Sequence, residues 1–330
     1  MSENFPFVSI PSLAIVVPCY NEEEMLPKTL SILLSLREQL IAKQKITNVS
    51  KVYLVDDGSK DSTWSLLSEA ANNNPALVAI KLSRNKGHQN ALYAGLCTTN
   101  EDITVSIDAD LQDDPKNIEA MVDEYLKGAD VVYGVRSART TDTFFKRFTA
   151  EGYYHVMKKM GVDLVFNHAD FRLLSRRALT ALHEYNESNL FLRGLVRELG
   201  FTTAVVEYER KPRELGESKY PLKKMLAFAW QGITAFSTAP LRMITILGLV
   251  SGVASFALIL WVLGVRLLTE DAVPGWASVL LPLLFIGSVQ LICLGIIGEY
   301  MSKIYEEVKR RPKYHISNVI ANDEKLKLNK

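Results

Sequence analysis

"VSIDADLQDDP", residues 105–115, places four aspartates within seven positions, directly after an apolar run. Because like charges this close repel one another, the stretch is either an ordinary acidic turn in solvent or the binding place of a cation. In open α/β sheets, ligands bind at the carboxyl ends of strands. Whether this stretch follows a strand of such a sheet therefore decides both the fold and the site.

Short apolar runs alternate with helical stretches through residues 13–134. Amphipathic segments such as 22–40 and 61–72 separate the runs, and a further strand is expected at 202–207. Apolar strands without strict polar alternation, separated by helices, predict a parallel sheet covered on both faces. The expected fold class is α/β. The runs cover residues 13–17, 51–55, 77–82, 103–107 and 130–134.

Polar loops follow four of these runs, at residues 18–24, 56–63, 83–90 and 108–114, and three of the loops carry carboxylates. Any single loop could be turn chemistry, because Asp, Asn and Ser bond to their own backbone. Four such loops on one edge of a sheet indicate a binding site. The sequence contains neither GxGxxG nor GxxxxGK[ST], which argues against a dinucleotide fold and a P-loop.

The overall charge gives no sign of a nucleic-acid partner. Lys and Arg number 38 against 37 Asp and Glu, so the net charge is +1 and no global field attracts a polyanion. Three scattered cysteines form no CxxC pair, so neither a disulfide framework nor a zinc site is indicated.

Two long uncharged runs lie near the C-terminus. They span Ile244–Val265 and Ala272–Gly298, 22 and 27 residues, and roughly 20 residues cross a bilayer core. The pattern predicts a two-helix transmembrane hairpin over residues 241–302. The alternative is a buried helical hairpin in a large soluble core.

Basic residues flank both ends of this pair of runs, so the positive-inside rule places both ends in the cytoplasm. The N-terminus shows no signal peptide, so residues 1–220 are expected to form a cytoplasmic catalytic domain. Residues 221–240 have aromatics and lysines at helical spacing, which predicts an interfacial amphipathic helix. Residues 303–330 are interpreted as a basic cytoplasmic tail.

Several motifs in order, together with the hairpin, resemble the membrane-anchored family 2 glycosyltransferases. The motifs are "VVPCYNEEEML" (16–26), "VDDGSKDST" (55–63), "RNKGHQNALYAGL" (84–96), "SIDADLQDDP" (106–115) and "DFRLLSRRAL" (170–179). The resemblance covers residues 11–312 and is closest to the polyprenyl-phosphate branch, which includes bactoprenol glucosyltransferases and relatives of dolichol-phosphate mannose synthase. It implies a GT-A fold, a nucleotide-sugar-binding αβα sandwich.

The resemblance also implies a reaction and its partners. One sugar, expected to be glucose from UDP-glucose, would pass to the phosphate of undecaprenyl phosphate or another polyprenyl phosphate, with inversion of the anomeric carbon. The protein would be a multi-pass protein of the bacterial inner membrane, with its catalytic domain in the cytoplasm, and a homo-oligomer, by resemblance a tetramer. The QxxRW motif of processive relatives is absent, which favours a single transfer.

Asp108 and Asp110 match the DxD motif of the family. Carboxylate oxygens suit Mg²⁺ or Mn²⁺, so the cation that the acidic stretch calls for is expected to be one of these two. Asp113 and Asp114 are instead expected to cap the helix at Pro115.

The resemblance assigns nucleotide-sugar binding to residues of every loop on the predicted edge. Asp56 and Asp57 could equally form an Asx turn, and Glu22 could equally be a helix N-terminal charge. Arg213 and Lys219 could merely attract anionic lipids. The full set is Pro18, Tyr20, Asn21, Glu22, Asp56, Asp57, Arg84, Gly87, His88, Asp108, Gln112, Arg213 and Lys219.

The resemblance also implies the catalytic set Asp110, Asp170 and Arg136, with Arg136 and Arg147 holding the acceptor phosphate. Whether Asp170 is a general base or a positioning residue stays open. A base is not required, because the second pKa of a phosphate monoester is about 6 and the acceptor is largely an oxyanion at pH 7.

Two further interpretations remain. The same reaction could use UDP-N-acetylglucosamine, a UDP-aminoarabinose derivative or GDP-mannose, because motifs do not encode the shape of the sugar pocket. Alternatively, the chain could be a non-catalytic membrane scaffold or a small transporter; the uncharged spans argue against transport.

Overall fold

The computed structural model describes residues 10–136, 168–185, 187, 191–209, 239–268 and 276–322. The chain divides into two compact units, with boundaries near residues 219 and 312. The first unit contains the β-sheet and the shorter helices, and the second contains the two long C-terminal helices.

The strands and helices follow the predicted alternation through most of the first unit. The strands are β1 Leu13–Cys19, β2 Lys51–Asp56, β3 Leu77–Leu82, β4 Ile103–Ser106, β5 Val131–Arg136, β6 His168–Ser175, β7 Thr203–Tyr208 and β8 Ile316–Ala321. The helices are α1 Leu26–Ala42, α2 Thr63–Asn73, α3 His88–Thr98, α4 Asn117–Leu126, α5 Arg176–His183, α6 Leu192–Glu198, α7 Ala239–Leu268 and α8 Trp276–Lys309.

The strands form one sheet in the order β7-β5-β6-β4-β1-β2-β3-β8. Its centre is parallel, but β6 pairs antiparallel with β4 and β5, and β8 pairs antiparallel with β3. The strands that the sequence predicted therefore all run parallel, and the sheet is mixed because β6 and β8, which were not predicted, run antiparallel to their neighbours. Asp170 and Arg172 interrupt the apolar pattern of β6, which hid this strand in the sequence.

The segment after the second apolar run is not a free tail. Helix α8 continues to Lys309, and residues 316–321 form the edge strand β8, with Ile80 opposite Val319. The interpretation of 303–330 as a tail is therefore wrong for this segment, which belongs to the first unit. Its first three residues, Ile316 to Asn318, are exposed, as expected of a sheet edge, and Ala321 is buried.

The core of the first unit is built from fully buried strands and one face of each covering helix. Every residue of β1 is buried, and α1 buries leucines at helical spacing, including Leu33, Leu36 and Leu40. Helix α3 lies against β1 and β2 at Gly95, where an added Cβ would be 2.4 Å from Val16 Cγ1 and 2.9 Å from Val55 Cγ2. This close approach places the first turn of α3 near the carboxyl ends of the central strands.

The second unit contains the two uncharged runs. Helices α7 and α8 contain 30 and 34 residues. Within the described residues, the segment Phe285–Lys309 is the one that is long and apolar enough to cross a membrane. The second span of the hairpin therefore stays a prediction, and most of the expected interfacial helix at 221–240 lies outside the described residues.

Candidate active site

The loops that follow β1, β2, β3 and β4 border one cleft of ≈ 340 Å³ at the carboxyl edge of the sheet. This is the edge that the sequence pattern predicts, because β1 to β4 run parallel. Eight predicted nucleotide- or metal-binding residues line it: Pro18, Tyr20, Glu22, Asp57, Gly87, His88, Asp108 and Asp110.

Asp57 holds the loop after β3 against the loop after β2. Its two carboxylate oxygens accept the backbone N–H groups of Lys86, at 2.6 Å, and Gly87, at 2.8 Å. Burial raises the pKa of Asp57, although the two N–H donors act against this shift. The neighbouring Gly58 has φ +68°, and an added Cβ there would lie 2.6 Å from the backbone N of Asn85. The two loops therefore meet at a distance that only glycine permits.

Asp56 does not line the cleft. It is fully buried, and its Oδ1 accepts the N–H of Ser59 at 3.1 Å, which is the turn contact of the alternative interpretation. Its Oδ2 is also buried, and no hydrogen-bond partner for it is found among the described residues. Asp56 thus shapes the loop behind the cleft wall.

Some residues of the loop after β1 line the cleft, and others contact the loop after β2. Tyr20 lines the cleft with 42% of its area exposed. Asn21 instead braces the next loop: at φ 54° its backbone N–H donates to Ser59 Oγ and its Oδ1 accepts the N–H of Lys60. The first residue of α1 is Leu26, so Glu22 precedes the helix and lines the cleft.

The DxD carboxylates stand at the end of β4, on the floor of the cleft. Asp108 keeps 36% of its side-chain area open to solvent. Burial of the carboxylate, together with the charges of Asp170, Asp113 and Asp110, nevertheless raises its pKa to about 6, although nearby His88 acts in the opposite direction. Asp110 Oδ1 accepts the N–H of Gln112 at 3.2 Å. The crowded negative charge is what a bound cation would relieve.

Two carboxylates do not make a complete metal site. Among the described residues, no group of three or more His, Cys, Asp or Glu side chains is placed to hold a metal ion. Asp108 and Asp110 nevertheless provide oxygen ligands beside an open cleft, which fits a hard divalent ion whose remaining ligands are ligand oxygens and water.

Asp170 on β6 is the centre of a second cluster, beside the DxD pair. Arg172 Nη2 donates to its Oδ1, and Gln89 Nε2 donates to its Oδ2 at 3.1 Å. Arg193 from α6 contacts both oxygens, with Nε 3.3 Å from Oδ1 and Nη2 3.2 Å from Oδ2. His88 Nε2 bridges the two clusters, 3.6 Å from Asp170 Oδ2 and 3.5 Å from Asp108 Oδ1.

These partners determine the protonation state of Asp170. Burial alone would raise the pKa of this carboxyl group, but His88, Arg172 and Arg193 together hold it well below its usual value. For His88, burial acts to lower the pKa, but the carboxylates of Asp170 and Asp108 outweigh it and raise the pKa. A carboxylate with so low a pKa is a poor proton acceptor near neutral pH.

Arg136 is the last residue of β5, and its side chain is bound there. Its guanidinium contacts Asp113 at 3.2–3.3 Å, and Tyr208 Oη donates to Asp113 Oδ1 at 2.6 Å. The expectation that Asp113 caps the next helix is wrong, because Asp113 is buried in this ion pair. Asp114 Oδ1 accepts the N–H of Lys116 at 3.1 Å instead, and α4 begins at Asn117.

The remaining predicted residues lie away from the cleft or outside the described residues. Arg84 is exposed and Gln112 is buried, and neither lines the cleft. Arg147, Arg213 and Lys219 lie outside the described residues.

Sequence reasoning missed three residues that contact the predicted ones. Gln89 lay inside a quoted motif without being assigned a role, whereas Arg193 and Tyr208 lie outside every quoted motif. Their roles depend on α6 and β7 lying beside β6 and β5, which no local pattern reveals.

Known proteins match this chain over the residues that form the candidate site. Residues 14–182 match the family described as Glycosyl transferase family 2. This chain belongs to that family. The matched residues include β1 to β6 and so include the whole cleft and Asp170. The chain is therefore a family 2 glycosyltransferase with a mixed α/β sheet of the GT-A type.

Relatives of this glycosyltransferase match both units. The glycosyltransferase YkoT of Bacillus subtilis (strain 168) is 47% identical over 96% of this chain and 94% of its own length. The bactoprenol glucosyl transferase of Shigella phage SfV is 38% identical over 93% of this chain and 98% of its own. A prophage bactoprenol glucosyl transferase homolog of Escherichia coli (strain K12) is 37% identical over 93% and 99%.

Solved structures show a more distant likeness. The mannosyltransferase PcManGT from Pyrobaculum calidifontis, solved with GDP-Man and Mn²⁺, matches 90% of this chain and 85% of its own, with 18% sequence identity and a TM-score of 0.44.

Proposed function

We propose that this glycosyltransferase moves one sugar, glucose from UDP-glucose, onto the phosphate of undecaprenyl phosphate or another polyprenyl phosphate, with inversion of the anomeric carbon. The observation that carries the proposal is the cleft in which the Asp57 loops and the Asp108–Asp110 pair border the same space. The relatives named bactoprenol glucosyl transferases support both the lipid acceptor and the sugar.

The donor nucleotide would occupy the part of the cleft formed by the first two loops. Tyr20 offers an exposed aromatic face for stacking on the base, which is worth roughly 1–3 kcal/mol per base in other proteins. Glu22 and Asp57 supply acceptors for N–H and hydroxyl groups of the nucleoside.

Asp108 and Asp110 would hold Mg²⁺ or Mn²⁺ together with oxygens of the donor diphosphate. When bound, the ion neutralises the negative charge that develops on the departing nucleotide diphosphate. The crowding that raises the pKa of Asp108 supports this assignment, because a cation is the group that stabilises its charged form.

The transfer itself would be a displacement at the anomeric carbon. An oxygen of the lipid phosphate forms the new bond from one face while the bond to the nucleotide diphosphate breaks on the other, so the configuration inverts. At pH 7 the acceptor phosphate is already largely a dianion, since its second pKa is about 6, and no proton has to be removed. Asp170, anionic and bound to two arginines, then acts as a positioning residue rather than as a base.

The second unit would place this reaction at a membrane. Segment Phe285–Lys309 supports one span, and the uncharged run in α7 supports a second, which together form the hairpin over 241–302. We propose a multi-pass protein of the bacterial inner membrane with its catalytic unit on the cytoplasmic side, where nucleotide sugars are present, and a homotetramer. For Arg147, Arg213 and Lys219, which lie outside the described residues, we propose roles in phosphate binding, as the family resemblance implies.

The test is transfer by the purified full-length chain in detergent, with undecaprenyl phosphate, Mg²⁺ or Mn²⁺, and a panel of nucleotide sugars. The panel contains UDP-glucose, UDP-N-acetylglucosamine, a UDP-aminoarabinose derivative and GDP-mannose, and the glycosyl-phospholipid is read by mass spectrometry. Transfer of glucose that stops on addition of EDTA is expected. Another sugar would correct the donor alone, whereas transfer from none would contradict the acceptor and favour a non-catalytic scaffold.

A further inference from the structure

Two arginines at the edge of the candidate site are each bound to a buried carboxylate, but with opposite consequences if the arginine moves. Arg136 is bound to Asp113, and Arg193 is bound to Asp170. Their side chains are similarly exposed, at 27% and 34%. An acceptor phosphate brought next to Asp108, Asp110 and Asp170 meets strong repulsion unless a cation compensates it.

Arg136 is poorly suited to turn toward a phosphate. Asp113 is 2% exposed, and if Arg136 left it, the Tyr208 hydroxyl would be its remaining partner among the described residues. A buried carboxylate that loses its cation costs several kcal/mol. The Arg136–Asp113 pair therefore behaves as a fixed structural contact between β5 and the acidic loop.

Arg193 is in the opposite situation. Asp170 keeps Arg172, a side chain that is 2% exposed and also bound to the carbonyl of Leu192. It also keeps Gln89, at 3.1 Å. Arg193 can therefore shift onto an incoming phosphate without leaving Asp170 unpaired, and the longer contacts of 3.2–3.3 Å are the ones that would be given up.

The position of Arg193 also fits the reaction. Its Nη2 lies 3.2 Å from the same Asp170 oxygen that is 3.6 Å from His88 Nε2, and His88 in turn lies 3.5 Å from Asp108. The guanidinium of Arg193 is thus connected, through Asp170 and His88, to Asp108, one of the carboxylates that would hold the donor diphosphate. A planar guanidinium binds a phosphate through two parallel N–H donors, so it can also orient the attacking oxygen.

We propose that Arg193 is a further residue that binds the acceptor phosphate, exchanging part of its contact with Asp170 for the phosphate oxygens, and that Asp170 positions it for this exchange. This inference rests on the proposed function, since it assumes a phosphate-bearing acceptor. Arg136 is bound to Asp113 in this structure, and its role toward the phosphate stays a prediction.

The test compares R193Q, R193K, R136Q and, as a matched control on the same helix, R197Q, because Arg197 is exposed one turn further along α6. With the full-length chain in detergent, R193Q is expected to raise the KM for undecaprenyl phosphate by roughly tenfold to a hundredfold, the range for loss of one charged hydrogen bond. The KM for the nucleotide sugar and the affinity for UDP by calorimetry should stay within about twofold, since one partner is removed and the donor site is left intact.

The other variants separate binding from structure. R193K keeps the charge but loses the planar fork, so it should fall between the wild type and R193Q. R197Q should match the wild type, and R136Q should lower the melting temperature, because the buried Asp113 loses its cation. An unchanged acceptor KM in R193Q would overturn the inference, and so would an equal rise in the KM of both substrates, which would assign Arg193 to the donor diphosphate.

A separate binding experiment distinguishes failure of this inference from failure of the proposed function. Geranyl phosphate is titrated against nucleotide-free protein by calorimetry, with geraniol as the uncharged control. If the wild type transfers no sugar, the proposed function fails, yet binding of geranyl phosphate that R193Q loses and R197Q keeps would still support the phosphate site. Equal binding by wild type and R193Q would overturn it.

Discussion

Two carboxylates at opposite edges of the sheet, Asp130 and Asp108, differ in the partners that the fold gives them. Asp130 precedes β5, at the edge opposite the cleft, and accepts hydrogen bonds from Ser175, Thr202 and Arg177. Burial acts to raise the pKa of Asp130, but these donors, Arg177 first, outweigh it and lower the pKa. Asp108 follows β4, at the cleft, and burial and neighbouring carboxylates raise its pKa to about 6.

The two carboxylates differ in the neighbouring groups that stabilise or oppose their negative charge. The Asp130 carboxylate is stabilised by groups of the protein itself, so its negative charge contributes to folding. The Asp108 carboxylate lies near three other carboxylates, and burial and their charges outweigh the effect of His88, so its negative charge is disfavoured in the fold. We therefore expect Asp130 to contribute to stability and Asp108 to contribute to activity.

The largest expected effect is on activity, at Asp108. Asp108→Asn keeps the shape of the side chain and removes the charge that would bind the metal and diphosphate. We expect transfer to fall on the order of a hundredfold or more, as for other losses of preorganised electrostatic stabilisation, with a melting temperature equal to or above that of the wild type. Steady-state transfer and thermal unfolding in detergent measure both.

The surface aspartate of the Lys45–Asp123 ion pair supplies the control for that variant. Asp123→Asn makes the same chemical change away from the cleft and should leave transfer unchanged. If Asp108→Asn lowers the melting temperature as much as a change at Asp130 does, the distinction between the two carboxylates is wrong.

The next effect is on stability, at Asp130. Asp130→Asn removes charged hydrogen bonds inside the fold, so the free energy of unfolding should fall by about 1.5–3 kcal/mol, while kcat stays close to that of the wild type. Denaturant unfolding in detergent and a transfer assay below the transition check this. Loss of transfer in a variant that remains folded would show that the edge opposite the cleft is functional too.

A glycine pair tests whether the cleft depends on the close approach of its loops. Gly58→Ala puts a Cβ against the backbone of Asn85 at φ +68° and should cost about 1–3 kcal/mol, with a raised KM for the donor. Gly128 has φ +107° but no atom within 4 Å of an added Cβ. Gly128→Ala should therefore lower stability without changing the donor KM, and an unchanged donor KM in both variants would contradict the role of Gly58.

The smallest expected effect is a pH dependence of stability in the absence of metal. An aspartate has an unfolded pKa of about 3.9, and the folded pKa of Asp108 is about 6. Between these values the folded state binds the proton more tightly, so the contribution of Asp108 makes the free energy of unfolding fall as pH rises from about 4 to about 6. Asp130 contributes the reverse: its lowered folded pKa gives stability above the unfolded value, and this is lost as pH falls through the folded pKa.

Melting temperatures of the wild type and the two asparagine variants across pH 3–8 resolve these contributions. Asp108→Asn should flatten the loss between about pH 4 and 6, and Asp130→Asn should flatten the loss at more acidic pH. Identical profiles for all three proteins would contradict the assignment of the two shifts.

Local sequence patterns were enough to predict much of the fold and the edge of the sheet at which the candidate site lies. Strand β3 lies at the predicted residues 77–82, and the cleft is lined by Tyr20, Asp57 and Asp108 from three predicted loops. These features depend on apolar runs and on the rule that parallel strands end on one edge. The family resemblance, borne out by the match over residues 14–182, supplied the rest of the prediction.

What the sequence did not predict depends on contacts between distant residues. Strand β6 was missed because Asp170 and Arg172 break its apolar run, and β8 because it is a short run after α8 with polar residues around it. Asp113 resembled a helix cap until the fold paired it with Arg136, 23 residues away. The contact of Arg193 with Asp170 depends on the position of α6, which has no local signature.

The most direct test of the central claim is Mn²⁺ binding followed by electron paramagnetic resonance, with and without UDP. The free-ion signal should decrease by about one equivalent per chain when UDP is present, and much less without it, because the two carboxylates need diphosphate oxygens to complete the site. Asp108→Asn should abolish the decrease, and Asp130→Asn should retain it. A free-ion signal that UDP leaves unchanged, or a decrease that survives in Asp108→Asn, would contradict the assignment of the cleft.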